Sequence, residues 1–123
     1  MERENVCLVI GAGAGIGATV AKRFARSGYY SVLSRRTDKS GLDVAVESIK
    51  NNGGQAKGYI INAIEEGAIE SLINEVEESI GSIQVAVYNL GSQIGNKGLY
   101  ETSDKVFERG WKMATLGLFR VAK

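Results

Sequence analysis

A cluster of glycines near the amino terminus constrains the fold more than any other feature of the sequence. Four glycines occupy alternate positions from Gly11 to Gly17, directly after the apolar run Val6–Ile10. A continuous apolar and β-branched run is typical of a strand that is buried on both faces, as in parallel sheets. A helical pattern of apolar residues then begins at Ile16. The sequence therefore predicts a buried strand, a tight glycine turn and a helix.

The rest of the chain alternates between the same two patterns. Further strands are predicted at Tyr29–Leu33, Lys57–Ile61 and Val85–Tyr88. Helices are predicted between the strands, ending near Gly28, at 51–54 and at Gly81, and a last helix carries Phe107, Trp111, Ala114, Leu118 and Val121 on one side. Strands that alternate with helices predict parallel pairing through right-handed crossovers, so we expect an α/β doubly wound sheet. A length of 123 residues allows one domain at most.

Composition excludes several kinds of chemistry. The sequence has no histidine and a single cysteine, so it cannot form a Ser-His-Asp or Cys-His site, a disulfide or a cysteine-cluster metal site. We expect no metal site, and we expect Cys7 to be a small buried apolar residue. The net charge of +1 gives no reason to expect nucleic acid or an anionic membrane as partner. An acidic amino terminus and the lack of a long apolar stretch favour a cytoplasmic protein.

A glycine turn between a first buried strand and a helix is the place where such folds hold a pyrophosphate. The phosphate loop of nucleotide hydrolases is excluded, because no lysine follows these glycines until Lys22. A Gly-x-Gly-x-x-Gly pattern fails when counted from Gly11, and counted from Gly13 it ends at Ala18 and is displaced from the strand. The register Gly11-x-x-x-Gly15-x-Gly17 keeps both the strand end and the helix start. A tight turn without a ligand is the alternative.

Three motifs in register resemble the short-chain dehydrogenase/reductase family over all 123 residues. The glycine loop 10–17 is similar to the family's Thr-Gly-x-x-x-Gly-Ile-Gly, and Tyr88–Gly91 is similar to its Asn-Asn-Ala-Gly. The segment Phe107–Met113 resembles the entry into the family's fifth helix. The resemblance implies that residues 1–123 are the NAD(P)-binding amino-terminal portion of such a domain, a Rossmann-like sheet of four strands in the order 3-2-1-4 with flanking helices, apparently truncated.

The resemblance also implies a set of cofactor-binding residues. Backbone groups of the glycine loop would face the cofactor pyrophosphate, residues after the fourth strand would lie beside the ribose and nicotinamide, and residues after the third strand would lie near the adenine. Asn62 replaces the family's aspartate there, with a simple turn residue as the alternative. These expected contacts are Gly11, Gly13, Gly15, Ile16, Gly17, Asn62, Ala63, Asn89, Leu90 and Gly91.

The end of the second predicted strand bears on the choice between NAD and NADP. Folds that select NAD usually place a carboxylate about 20 residues beyond the loop, to bind the ribose 2′-hydroxyl. Here that position is Ser34-Arg35-Arg36, and no carboxylate occurs before Asp38. Guanidinium groups suit a 2′-phosphate through charge and bidentate geometry. We therefore expect a preference for NADP over NAD, with Arg35 as the leading contact, Ser34 in support and Arg36 second; two solvated arginines are the alternative.

No catalytic residue of the family is found in this sequence. No tyrosine is followed by lysine four residues later, and Ala114 stands where the resemblance places an asparagine. The implied activity is hydride transfer between NADPH and a carbonyl or alcohol, with a small-molecule substrate only if a longer chain exists. The alternatives are a dinucleotide-binding or partner-binding module without catalysis and an inactive truncated product. One face of the last helix is expected to be partly uncovered, which suggests a fragment of a longer chain or a homo-oligomer.

Overall fold

The computed structural model describes residues 3–13, 15–91 and 96–123. Its four strands all pair in parallel, and their order across the sheet is 3-2-1-4. This confirms the doubly wound α/β fold expected from the sequence. The strands are β1 (Glu4–Ile10), β2 (Tyr30–Arg35), β3 (Gln55–Ile60) and β4 (Gly81–Tyr88).

Helices cover both faces of the sheet. The first three helices alternate with the strands and are α1 (Ile16–Arg26), α2 (Lys39–Asn51) and α3 (Ala68–Ser79). After β4 the described elements are a short 3₁₀ turn (Leu99–Glu101), α4 (Asp104–Trp111), a π-helical segment (Lys112–Leu116) and α5 (Gly117–Ala122). α1 and α2 pack on one face of the sheet, while α3 and α5 pack on the other. The result is a three-layer arrangement with the sheet in the middle.

β1 is the centre of the hydrophobic core. Cys7 and Val9 point to the side of α1 and α2, whereas Val6, Leu8 and Ile10 point to the side of α3. All five residues are at most 1% exposed. This burial on both faces explains the unbroken apolar run in the sequence. Cys7 is a buried apolar residue as expected, and burial raises the pKa of its thiol to about 11.

All four strands differ from their predicted bounds at one end or both. β1 begins at Glu4 rather than at Val6, and β3 ends at Ile60 rather than at Ile61. β2 begins one residue later and continues through Arg35, β3 begins at Gln55 rather than at Lys57, and β4 begins at Gly81 rather than at Val85. The apolar pattern missed these residues because strand ends are defined by backbone pairing. Gln55 pairs with Tyr30, and Gly81 pairs with Glu4. Gly81, which was predicted to end a helix, is therefore also the first residue of a strand.

The last helix is one continuous helical run with a π-helical segment inside it. Gly117 is buried against Tyr88, whose hydroxyl donates a hydrogen bond to the carbonyl of Met113. Trp111 and Phe119 are 47% and 60% exposed, so the expectation of a partly uncovered face is confirmed for them. None of the helices in the described ranges is long and apolar enough to cross a membrane.

Candidate functional site

A cleft opens at the carboxyl ends of the parallel strands. In such sheets ligands bind at this edge, in the crevice where the strand order reverses. Here the reversal lies between β1 and β4, because the chain moves outward from β1 through β2 to β3 and then returns to the other side. The cleft is lined by the glycine loop and by residues that follow β2 and β4: Gly11, Gly13, Gly15, Ile16, Gly17, Arg35, Arg36, Thr37, Asp38, Asn89 and Leu90.

Two glycines of the loop are required by the protein's own packing. Gly11 has a φ of +91°, and a Cβ there would lie 2.5 Å from the carbonyl oxygen of Asn89. A Cβ on Gly17 would lie 2.3 Å from the carbonyl oxygen of Gly11. The loop is also tied to β2, since the N–H groups of Gly11 and Ala12 both donate to the carbonyl of Ser34, at 3.1 and 2.8 Å. Loop, helix and sheet are therefore in direct contact.

The other two glycines face open space. Among the described residues, and apart from its chain neighbours, no atom lies within 4 Å of a Cβ built on Gly13 or Gly15. Neither residue has a φ in the left-handed region. Packing within the described residues therefore does not require glycine at these two positions. Their lack of side chains instead leaves a shallow cradle of exposed backbone.

The amino terminus of α1 points its polar groups into this cradle. Among the described residues, the N–H groups of Ile16 and Gly17 have no backbone acceptor, whereas the N–H of Ala18 donates to Gly13 at 3.0 Å. The first turn contains no acidic residue, and Gly15 at the cap has no side chain to satisfy these donors. Free N–H groups and the positive end of the helix dipole favour an anion at this point. A pyrophosphate therefore fits the cradle in both shape and charge.

Asn89 joins the end of β4 to the glycine loop. Its backbone N–H donates to Ile10 at 2.8 Å, and its side-chain amide donates to the carbonyl of Gly11 at 3.2 Å. Leu90 follows as a partly buried residue packed on the core, and Gly91 is exposed. Asn89 and Leu90 therefore line the cleft together with the glycine loop.

A second, smaller cavity adjoins the cleft at the end of β3. Asn62 lines it, and its side-chain oxygen accepts a hydrogen bond from the N–H of Ile64 at 3.3 Å. This contact is a local turn within the loop after β3. Ala63 is 6% exposed and packs with the core. The two cavities share Gly11, Arg35, Arg36 and Leu90 in their walls, so they are neighbours along the sheet edge, and the pair is called the groove below.

The three residues at the end of β2 differ in what their side chains contact. Ser34 is 1% exposed, and its hydroxyl donates to the carbonyl of Val9 at 3.4 Å. The Nε of Arg35 donates to the carbonyl of Ala12, and its Nη1 lies 3.0 Å from the Oδ2 of Asp38. Arg36 is exposed at the rim of both cavities. Arg36 is therefore the more accessible of the two guanidinium groups.

Six lining residues of this groove were not among the site residues predicted from the sequence. Three of them are apolar residues of the smaller cavity: Ile10, Ile61 and Ile64. Thr37 and Asp38 line the cleft, and Met113 lines the smaller cavity. A signal for Asp38 was present, because aspartate before a helical pattern is a preferred amino-terminal cap. Its side chain does cap α2, accepting from the N–H of Gly41 at 3.0 Å. Met113 carries no sequence signal, since its position depends on how the last helix packs.

No catalytic group is found among these lining residues. Ala114 lies in the π-helical segment and is exposed. Tyr88 is used structurally by its hydrogen bond to Met113, and burial raises the pKa of its phenol while the charge of Arg120 opposes that shift. Within residues 3–13, 15–91 and 96–123, no three metal-ligating side chains cluster. The groups in the groove that can bind an anion are backbone N–H donors and two guanidinium groups.

A parallel sheet of this order, with a glycine cradle at the switch point, defines a Rossmann-type nucleotide-binding fold. The family model described as short chain dehydrogenase matches residues 5–123. The chain therefore belongs to the short-chain dehydrogenase family, whose members bind a nicotinamide dinucleotide.

Individual proteins of the family support this membership. The chain is 31% identical to a fatty acyl-CoA reductase from Acinetobacter baylyi over 125 residues, which cover 97% of this chain and 42% of that protein. The structure matches a short-chain dehydrogenase from Rhodopseudomonas palustris with a TM-score of 0.89 and 31% identity, over 98% of this chain and 55% of that one. It also matches a variant of actinorhodin polyketide ketoreductase with NADPH, at a TM-score of 0.86 and 28% identity, over 97% of this chain and 45% of that one. The chain thus spans about half the length of the relatives that it matches.

Proposed function

We propose that residues 1–123 are the NADP(H)-binding portion of a short-chain oxidoreductase. The observation that carries this proposal is the cradle at Gly13 and Gly15, where exposed backbone and the amino terminus of α1 meet in a cleft. Packing of the described residues does not require this exposed backbone, whereas a pyrophosphate would bind to it through the backbone N–H groups. The donors are backbone N–H groups, so binding at this point depends on the loop's shape.

In this proposal, each part of the cofactor lies against one set of residues. The pyrophosphate would lie against Gly15, Ile16 and Gly17, and the adenine would lie toward the cavity beside Asn62 and Ala63. The ribose and nicotinamide side would lie along Asn89, Leu90 and Gly91. The four residues that line both cavities support a placement that extends from one cavity to the other. The nicotinamide, when bound, supplies hydride transfer to or from a carbonyl or alcohol carbon.

A preference for NADP follows from the charge at the groove's rim. Arg35 and Arg36 both line the groove at the end of β2, where folds that select NAD usually carry a carboxylate. A 2′-phosphate is a bidentate acceptor for guanidinium, whereas a 2′-hydroxyl gains little from it. The exposed Arg36 is the more accessible ligand, and Ser34 contributes through its carbonyl, which positions the loop. The matched ketoreductase structure contains NADPH, which supports the same choice.

Titration of NADPH and NADH by calorimetry tests the proposal. We expect the wild type to bind NADPH at least roughly tenfold more tightly than NADH, because hydrogen bonds to charged groups contribute about 1.5–3 kcal/mol. Arg36→Ala should remove most of that preference and change the NADH affinity less than about twofold. Arg109→Ala, an exposed arginine on α4, is the matched control. Equal affinities in the wild type would contradict the preference, and no binding of either would contradict the function.

Dinucleotide binding without catalysis is a second candidate function. It is favoured by Ala114 at the position where the family carries an asparagine, because a methyl side chain cannot order a relay water. None of the tyrosines in 1–123 has a lysine four residues later. Substrate and catalytic residues of a whole enzyme would lie in a longer chain. An in-frame continuation with a Tyr-x-x-x-Lys pair supports the enzyme, whereas NADPH binding by a chain ending at Lys123 supports the module.

We also propose that the exposed apolar face of the last helix pairs with a second copy of the chain. Phe107, Trp111 and Phe119 are 69%, 47% and 60% exposed along it. Large apolar side chains on one face favour association. Phe119→Glu is expected to shift sedimentation toward the monomer, whereas Val44→Glu, an equally exposed site on α2, should leave it unchanged. A wild type that sediments as a monomer at all concentrations would contradict this.

Cytoplasmic location stays a prediction, checked by cell fractionation.

A further inference from the structure

The guanidinium of Arg35 is already paired within the protein. Its side chain is 9% exposed, its Nη1 lies 3.0 Å from the Oδ2 of Asp38, and its Nε donates to the carbonyl of Ala12. All three residues adjoin the glycine loop, and Arg35 and Asp38 line the cleft. A negative charge therefore already occupies one side of Arg35, one of the two arginines that would face a 2′-phosphate beside the more accessible Arg36.

We propose that Asp38 is a specificity-determining residue that competes with the 2′-phosphate for Arg35 and so limits the preference for NADP. The inference rests on the proposed function, because it concerns the same groove. Asp38 acts through Arg35 and is a positioning residue. The Asp38 carboxylate is an anion of the protein itself, and it lies where the 2′-phosphate of the cofactor would bind.

The carboxylate of Asp38 is fixed in place by the start of α2. Its Oδ1 accepts from the N–H of Gly41 at 3.0 Å while its Oδ2 faces Arg35, so the two oxygens serve two partners. The backbone of Asp38 has a φ of +59°, a conformation that aspartate and asparagine adopt more readily than other side chains. Gly41 makes the arrangement possible, because a Cβ there would lie 2.2 Å from the Oδ2 of Asp38 and 2.5 Å from the Nη1 of Arg35.

Charge determines the direction of the effect. A 2′-phosphate brings close to two negative charges to the rim. Asp38 repels that charge and occupies a guanidinium nitrogen that would otherwise donate to it. The side chain of Asp38 is 62% exposed, so solvent screens the repulsion and the effect is moderate. A ligand without the 2′-phosphate meets neither penalty, and its binding should be insensitive to this carboxylate.

Asp38→Asn isolates the charge from the structural role. Asparagine is as good an amino-terminal cap as aspartate and tolerates the left-handed conformation, so α2 and its entry are preserved. Asp43→Asn is the matched control, because Asp43 pairs with Lys39 at 3.0 Å on the same helix and is absent from the walls of the groove. Both variants lose one negative charge and one ion pair, but only Asp38→Asn removes the charge that pairs with Arg35.

The experiment measures binding of adenosine 2′,5′-bisphosphate and of AMP by calorimetry to wild type and both variants. These probes differ only in the 2′-phosphate. We expect Asp38→Asn to bind the bisphosphate roughly three- to fivefold more tightly, the size of an exposed ion pair, with AMP affinity unchanged within about twofold. Asp43→Asn should match the wild type for both probes.

The outcomes separate this inference from the proposed function. If the wild type prefers the bisphosphate to AMP and Asp38→Asn does not strengthen that preference, the inference is overturned and the function remains. If Asp38→Asn changes both affinities equally, its role is structural and the inference is again overturned. If the wild type binds neither probe nor NADPH, the proposed function fails and the inference fails with it.

Discussion

Replacing Gly17 by alanine is expected to lower the free energy of unfolding by about 1–3 kcal/mol and to weaken NADPH binding at least roughly tenfold. The new Cβ would lie 2.3 Å from the carbonyl oxygen of Gly11 and 2.7 Å from the Cα of Ala12. Both are backbone atoms, so the overlap is relieved only when α1 or the loop moves. Such a movement displaces the N–H donors of the cradle, and sites of this kind tolerate only about 0.5 Å of displacement.

Gly13→Ala is the matched control for this prediction. It adds the same methyl group four residues earlier, where no atom of the described residues beyond the chain neighbours lies within 4 Å. Its free energy of unfolding should stay within about 1 kcal/mol of wild type, because the change acts chiefly on the unfolded chain. NADPH affinity should still fall several-fold, roughly as expected for a methyl group intruding into a ligand cradle. Urea unfolding and calorimetry measure the two quantities. Wild-type NADPH affinity in Gly17→Ala would show that the loop does not cradle the cofactor.

Those parts of the fold that depend on side-chain burial could be predicted from the sequence. β1 is buried on both faces, and its run of five apolar residues predicted a central parallel strand. α3 buries Ile69, Leu72 and Val76, and their spacing of three and four residues is that of one face of a helix. In both elements the core imposes a periodicity that the sequence must carry. Alternation of such elements then predicts the parallel topology.

Those parts that depend on backbone pairing or on distant packing could not be predicted. β4 begins at Gly81 because that residue pairs with Glu4, a contact between positions far apart in sequence. The π-helical segment likewise has no local signature, and it places Met113 where the Tyr88 hydroxyl can donate to it. A backbone contact of this kind imposes no periodic pattern of apolar residues on the sequence, so the sequence does not predict it.

The candidate site divides in the same way. The positions of Gly11, Gly17 and Asn89 around the loop follow from motif spacing, because parallel strands bring their carboxyl ends to one edge. The order of importance at the end of β2 does not follow from spacing. Sequence places Arg35 first, whereas its side chain is 9% exposed and already bound to Asp38. Which arginine is accessible depends on the cap of α2, which only the three-dimensional structure reveals.

Gly81→Ala is expected to have the largest effect on stability, a loss of about 3 kcal/mol in the free energy of unfolding. A Cβ on Gly81 would lie 2.0 Å from the carbonyl oxygen of Glu4 and 2.8 Å from its backbone nitrogen. Glu4 belongs to β1, the central strand, so the clash separates β4 from the sheet at its first residue. β4 carries Asn89 to the glycine loop, and NADPH binding should therefore weaken together with stability.

Gly98→Ala is the matched control, because in the part of the chain that the structure describes an added Cβ there meets no atom within 4 Å beyond its chain neighbours. It should change stability by less than about 1 kcal/mol.

The size of the Gly81→Ala effect also distinguishes two explanations for glycine at this position, the end of a helix and close packing of β4 against β1. A glycine that only ends a helix adopts a positive φ, and alanine there costs about 1 kcal/mol. Gly81 is not among the positive-φ glycines of the described chain. A measured loss near 1 kcal/mol would contradict the strand contact, whereas a loss near 3 kcal/mol would show that close packing of β4 against β1 requires this glycine.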